Sequence, residues 1–127
     1  MKLKDVYFSG FQAAWFIIFM AYSELTEQIS KDVMNFEQFK SSIESNDPVK
    51  HSVYLESLWY DGKGDWDQSH TVIQDVDDKN AAWIHAYLHR KEGDIWNADY
   101  WYSRAGKKRP SISLDEEWEN IVKVFLK

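Results

Sequence analysis

The sequence predicts an all-α protein built from antiparallel helical hairpins, on three observations. From Asn35 onward, apolar residues recur at the spacing of one helix face. Turn-forming Gly, Pro, Asn and Asp residues interrupt this pattern at short intervals, and short turns join antiparallel neighbours. The alternation of apolar and polar residues that a half-buried strand would show never persists.

Composition narrows the classes of function. The chain has 127 residues, with 15 Lys and Arg against 21 Asp and Glu, and a formal net charge of −6. This length fits one domain with a single core. Nucleic-acid binding requires a surface rich in Lys and Arg that contacts the phosphates. Because this chain is acidic, we expect no nucleic-acid partner. The absence of Cys excludes disulfide frameworks, thiolate metal sites and thiol catalysis.

Residues 1–33 form a hydrophobic segment ahead of a helical domain at residues 34–127. A short charged start precedes an uncharged stretch, and residues 13–22 are apolar throughout. Three interpretations stay open: a signal peptide or membrane anchor, a helix packed on the domain, or an extension ahead of a true start at Met34. We expect a cytoplasmic protein, with a membrane-anchored or exported one as the alternative.

The first half of residues 34–127 is expected to contain three helices. Asn35 is a typical N-cap for the first. Pro48 suits the first turn of the second. Asp65 can cap the third. One face of that third helix carries Trp66, His70 and Ile73.

The second half is expected to contain three more helices. Residues 80–92 form a strong helix that Gly93 ends, and Asp94 caps the next helix over residues 95–105. A helix over residues 114–125 closes the chain, with an acidic first turn of the kind that the helix dipole favours. Its apolar stripe consists of Trp118, Ile121, Val122 and Phe125.

Two segments, residues 55–74 and 84–106, each contain an aromatic-rich helix, a Gly-Asp turn and a second helix with Trp near its start. The second segment resembles a tetratricopeptide or Sel1-like repeat. The residues that carry this resemblance are Ala86, Gly93, Asp94, Ala98, Tyr102, Ala105 and Pro110. It implies stacked hairpins, closed by a C-terminal capping helix, with a concave groove that binds a peptide or partner protein. The run AWIHAYLHRKEGDIWNADYWYSRAG, followed by LDEEW, also resembles a group of small uncharacterised bacterial proteins, which implies no chemistry.

A partner-binding surface is the leading functional hypothesis. An aromatic and cationic stripe on the helix over residues 80–92, with a basic loop at its rim, is typical of an interaction groove. The predicted binding residues are Trp83, Tyr87, Arg90, Lys107, Lys108 and Arg109. The alternative is that the aromatic residues pack inside the protein and the charges form a solvated face. Under the leading hypothesis, the chain is a non-enzymatic module that binds an unknown protein or peptide without a cofactor, and it could also form a homo-oligomer.

Three histidines support a second hypothesis, a metal-binding helical protein or metal-dependent enzyme. His85 and His89 are four residues apart and share a helix face, and His70 on the preceding helix can approach them. With a carboxylate such as Asp99, they would form a zinc or iron site. The competing interpretation is that they are core histidines, hydrogen-bonded to a neighbouring helix or a Trp. Convergence of the imidazoles on open solvent with a carboxylate beside them, or the presence of a sheet, would overturn the interaction-module hypothesis.

The sequence contains none of the common catalytic motifs that we considered. There is no His-Glu-x-x-His motif, no phosphate-binding Gly-rich loop and no nucleophilic Ser elbow. We therefore assign no catalytic residue, and an enzymatic activity is the less favoured prediction.

Overall fold

A computed structural model describes residues 10–49 and 51–127. Over these residues the secondary structure is helical with no strand, which confirms the predicted all-α class. The described helices, in chain order, are α1 (Gly10–Asp32), α2 (Phe36–Glu44), α3 (Val53–Gly62), α4 (Trp66–Ile73), α5 (Lys79–Glu92), α6 (Ile95–Arg104) and α7 (Leu114–Phe125).

The chain divides into two units, Met1–Val33 and Met34–Lys127. In the first unit, the described helix is α1, on which the Trp15 and Phe19 rings stack with centroids 5.8 Å apart. No helix within residues 10–49 and 51–127 combines the length and the apolar composition that crossing a membrane requires. The charged start, on which the signal-peptide interpretation depended, lies in residues 1–9, outside the described residues.

Six helices of the second unit enclose its core. The most extensive helix contacts join α3 to α4 and α5 to α6, and α7 packs against α2, α3 and α5. The central apolar side chains, each fully buried, are Phe39, Leu58, Ile84, Leu88, Ile121 and Val122. Burial of apolar side chains such as these is the dominant favourable contribution to folding.

Local capping chemistry sets where the helices begin and end. The Asn35 side chain accepts the Gln38 backbone N–H, and the Gln38 side chain accepts the N–H of Asn35, which completes a capping box. Asp65 and Asp94 cap α4 and α6 as predicted. Gly93 ends α5 with φ +89°, a left-handed conformation in which a side chain would be strained.

The predicted role of Pro48 is wrong. Helix α3 begins at Val53, because the Ser52 hydroxyl accepts the Leu55 N–H and acts as its N-cap. Pro48 lies in the connection before it, next to Val49, which is buried in the core. This connection therefore contributes an apolar side chain to the core before the helix starts.

Candidate functional site

The three histidines converge where α4 packs against α5. His70 lies on α4, and His85 and His89 lie one turn apart on α5. The ring centroids are 4.7 Å apart for His70 and His85, 4.7 Å for His85 and His89, and 5.3 Å for His70 and His89. One ring nitrogen from each histidine lies within 4.8 Å of the other two.

A direct hydrogen bond joins two of the rings. The Nε2 atoms of His70 and His85 are 2.9 Å apart, so one nitrogen donates its proton and the other accepts it. The accepting ring is therefore neutral in this arrangement, since two protonated nitrogens would repel each other.

Two tryptophans hold these rings in place. Trp66 stacks on His70 with centroids 4.8 Å apart, and Trp101 stacks on His85 at 4.0 Å. The Trp66 indole N–H donates to the Leu88 carbonyl at 2.8 Å, which ties α4 to the middle of α5. The stacked indole rings restrict the rotamers of the imidazoles. Binding of a ligand would therefore cost little side-chain conformational entropy.

Burial disfavours the protonated forms of His70 and His85. His85 and His89 are only 6% and 7% exposed, whereas His70 is half-buried. Burial, with smaller contributions from His70 and His89, lowers the pKa of His85 from 6.5 to about 3. Burial also lowers the pKa of His70, and the nearby His89 adds to that effect. Neutral imidazoles are the form that binds metal ions.

The carboxylate beside the cluster is Glu92, and the prediction of Asp99 for that position is wrong. Glu92 Oε1 lies 2.8 Å from His89 Nδ1, one helical turn further along α5. Asp99 instead accepts from Arg109, with Nε and Oδ1 2.8 Å apart. The spacing of three residues between His89 and Glu92 was visible in the sequence and could have identified this pair.

The donor set fits a transition metal. Zinc binds imidazole nitrogens at about 2.0–2.1 Å, and tetrahedral geometry then separates the nitrogens by about 3.3 Å. The His70 and His85 nitrogens, 2.9 Å apart, need to open by only a few tenths of an ångström. Imidazole ligands suit zinc, copper, nickel and iron, whereas magnesium and calcium prefer oxygen. Within the described residues three nitrogens converge, so a fourth coordination position would go to water or an external ligand.

The predicted binding stripe on α5 is largely interior. Tyr87 is 2% exposed and its hydroxyl donates to Asp61 Oδ2 at 3.0 Å. Arg90 donates to the Ile112 carbonyl, and its Nη1 lies 3.4 Å from Glu117 Oε1. The expectation of an exposed Tyr87 and Arg90 is therefore wrong, because α7 packs over this side of α5.

Other members of the predicted surface do come together. The Lys107 ammonium lies 4.0 Å from the centroid of the half-buried Trp83 ring. Trp83, Lys107 and Lys108 line a cavity of about 330 Å³ with Pro110 and Ile112 among its other walls. Arg109 points elsewhere, since its guanidinium pairs with Asp99.

A buried carboxylate on α7 was missed by sequence reasoning. Glu117 is 2% exposed and accepts from the Tyr102 hydroxyl, 2.8 Å from Oε2, with Arg90 alongside. Burial raises the pKa of Glu117, although Tyr102 and Arg90 act in the opposite direction. In the sequence, Glu117 is one of three acidic residues in a first helical turn, where a carboxylate is favoured by the helix dipole. Nothing in that pattern indicated that its side chain is buried.

No family model, curated protein or solved structure matches the chain, so the interpretation of this site depends on its own geometry.

Proposed function

We propose that the protein binds a divalent transition-metal ion, of the class to which zinc belongs, through His70, His85 and His89. The observation that carries the proposal is the convergence of three imidazole nitrogens within 4.8 Å on two packed helices. Three such ligands with an open fourth position are typical of zinc sites that keep a water molecule or take an external ligand.

The neighbouring groups favour a ligand set over three core histidines. Here burial suppresses protonation of His85, and aromatic rings fix both His70 and His85. Burial therefore keeps a second proton off the His85 ring, and the proton between the His70 and His85 Nε2 atoms has to move before both nitrogens bind a metal.

Zinc titration of the full chain tests the proposal. After chelator treatment and dialysis, we expect calorimetry to give one Zn²⁺ per chain. Free zinc at 100 times the dissociation constant should stabilise the protein by about 2.7 kcal/mol. Co²⁺ should bind at the same stoichiometry and develop visible absorption typical of a nitrogen-ligated, four-coordinate ion.

Matched variants locate the binding. His70→Gln removes one ligand at a half-buried position, where the fold should tolerate the change. His51→Gln removes an exposed histidine outside the cluster. We expect the first variant to lose zinc binding and the second to retain it. Absence of stoichiometric binding by the wild-type chain, or unchanged affinity in His70→Gln, would show the proposal to be wrong.

A second candidate function is peptide recognition by a tetratricopeptide-like array, in which α3–α4 and α5–α6 are the repeated pairs. The cavity beside Trp83, Lys107 and Lys108 favours it, because an indole with two ammonium groups suits a peptide carboxylate. Titration of the labelled protein with a short peptide of Asp and Glu should shift the Trp83 indole resonance. Lys108→Ala should weaken that binding and Lys40→Ala should not, whereas no shift at millimolar peptide would exclude this function.

A further inference from the structure

We propose that Glu92 is a positioning residue for the metal site, one that orients His89 and fixes its tautomer. This inference rests on the proposed metal-binding function. Its basis is the 2.8 Å contact between Glu92 Oε1 and His89 Nδ1, in which the His89 side chain is 9% exposed and that of Glu92 is 37% exposed.

The chemistry of the contact assigns the proton. An ionised carboxylate can only accept a hydrogen bond, so His89 carries its proton on Nδ1. The lone pair then lies on Nε2, the nitrogen that would bind a metal. Metal-binding histidines commonly donate their second nitrogen to a carboxylate in this way, which fixes the ring and makes the other nitrogen a stronger ligand.

A second neighbour indicates the same tautomer independently. The side-chain nitrogen Nδ2 of Asn97, on α6, lies 3.4 Å from His89 Nε2. An amide NH₂ group can only donate, so Nε2 must be the acceptor in this weak contact. Glu92 and Asn97 thus lie at opposite nitrogens of His89, and the longer contact with Asn97 agrees with a proton on Nδ1 without being strong enough to fix it there.

The backbone around Glu92 holds this carboxylate in place. Glu92 is the last residue of α5, and Gly93 ends the helix in the left-handed conformation. The His89 carbonyl accepts the backbone N–H of Asp94 at 3.0 Å, so the turn after Glu92 folds back on the residue that Glu92 contacts. The carboxylate is therefore presented to Nδ1 by a closed helix end.

The alternative is an ordinary surface pair between residues three apart on one helix, which contributes little to stability and nothing to metal binding. The structure offers a control on α7, a surface pair between residues four apart on one helix. Glu119 pairs with Lys123 at 2.6 Å, both side chains are about half exposed, and neither belongs to the histidine cluster.

The first measurement needs no metal. In a long-range ¹⁵N–¹H correlation spectrum of the metal-free full chain at neutral pH, His89 should appear as the Nδ1–H tautomer. Glu92→Ala should give a mixture of tautomers, and Glu119→Ala should leave the spectrum of His89 unchanged. A wild-type His89 in the Nε2–H form would overturn the inference.

The second measurement is zinc affinity, by competition with a chelator. Glu92→Ala should bind Zn²⁺ 10- to 100-fold more weakly than the wild type, the range found when such partners are removed. Glu92→Gln keeps an acceptor oxygen without the charge and should lose less. Glu119→Ala should bind as the wild type does, and all three variants should keep the wild-type urea midpoint without metal.

The outcomes separate this inference from the function on which it rests. If the wild-type chain binds no zinc, the metal site itself is wrong. If the wild type binds one zinc ion and Glu92→Ala binds it equally well, the site stands and the role of Glu92 is wrong. A urea midpoint of metal-free Glu92→Ala well below that of Glu119→Ala would assign Glu92 a structural role and overturn the inference.

Discussion

Acidification of the metal-free protein from pH 7 to pH 5 should lower its free energy of unfolding by about 2 kcal/mol through His85 alone. Burial lowers the pKa of this imidazole from 6.5 to about 3 in the folded chain. Between these values the unfolded chain takes up a proton that the folded chain does not. The stabilising contribution is therefore fully present above 6.5 and is lost as the pH falls toward 3.

The size of this loss in stability follows from how far pH 5 lies below the pKa of an unfolded histidine. At pH 5 the unfolded histidine is about 1.5 pH units below its ordinary pKa, and each unit corresponds to about 1.4 kcal/mol. His70 acts in the same direction, since its pKa is also lowered, and its partial exposure makes the effect smaller. Glu117 acts in the opposite direction, because its pKa is raised and protonation relieves the cost of burying its charge.

Urea unfolding in the presence of a chelator, at pH 7 and pH 5, isolates the contribution of His85. His85→Phe keeps an aromatic ring to stack on Trp101 and removes the titrating group. The wild type should lose about 2 kcal/mol more than this variant on acidification. His51→Gln, which changes an exposed histidine, should lose as much as the wild type. Equal losses in the wild type and His85→Phe would refute the argument that burial disfavours the charged imidazole.

Two further predictions concern packing. Tyr102→Phe removes the hydroxyl that donates to the buried Glu117, and it should lower the free energy of unfolding by about 1–3 kcal/mol. An unchanged urea midpoint would show that this hydrogen bond contributes nothing net. Gly62→Ala would place a Cβ 2.6 Å from Ile43 Cδ1 and 3.0 Å from Trp118 Cζ2. Overpacking of this kind costs about 1–3 kcal/mol, whereas the better helix propensity of Ala contributes roughly 0.5–1 kcal/mol. The variant should therefore have a lower free energy of unfolding than the wild type. A higher melting temperature than the wild type would show that the Ile43 side chain moves aside at little cost.

Helix ends could be predicted from the sequence because their causes are local. The cap residues Asp65 and Asp94 each bind a backbone N–H three residues away, and Gly93 needs only its own backbone freedom. Pro48 is the instructive failure. Its ring is compatible with a first helical turn, but the helix starts where Ser52 supplies a cap and after Val49 has entered the core. Val49 is buried by residues distant in sequence, so its burial could not be predicted from its neighbours along the chain.

The candidate site shows the same division between local and distant causes. The spacing of His85 and His89 placed them on one face, and the approach of His70 required only that consecutive helices pack. The opposite face of α5 could not be predicted in the same way. A helical wheel shows that Tyr87 and Arg90 share a side, but it does not show that α7 covers that side.

Burial of His85 would account both for the predicted loss of stability in acid and for the neutral imidazole that the proposed metal site needs. Burial of His85 disfavours the imidazolium, and so it weakens the folded state in acid. The same burial keeps the imidazole neutral at neutral pH, which is the form that a metal ion would need. A site designed only for stability would gain from replacing buried imidazoles with apolar side chains, since these carry no titration penalty. Three imidazoles beside Trp66 and Trp101, with Glu92 at His89 Nδ1, would therefore make sense as the proposed ligand set, whose cost in stability metal binding would offset.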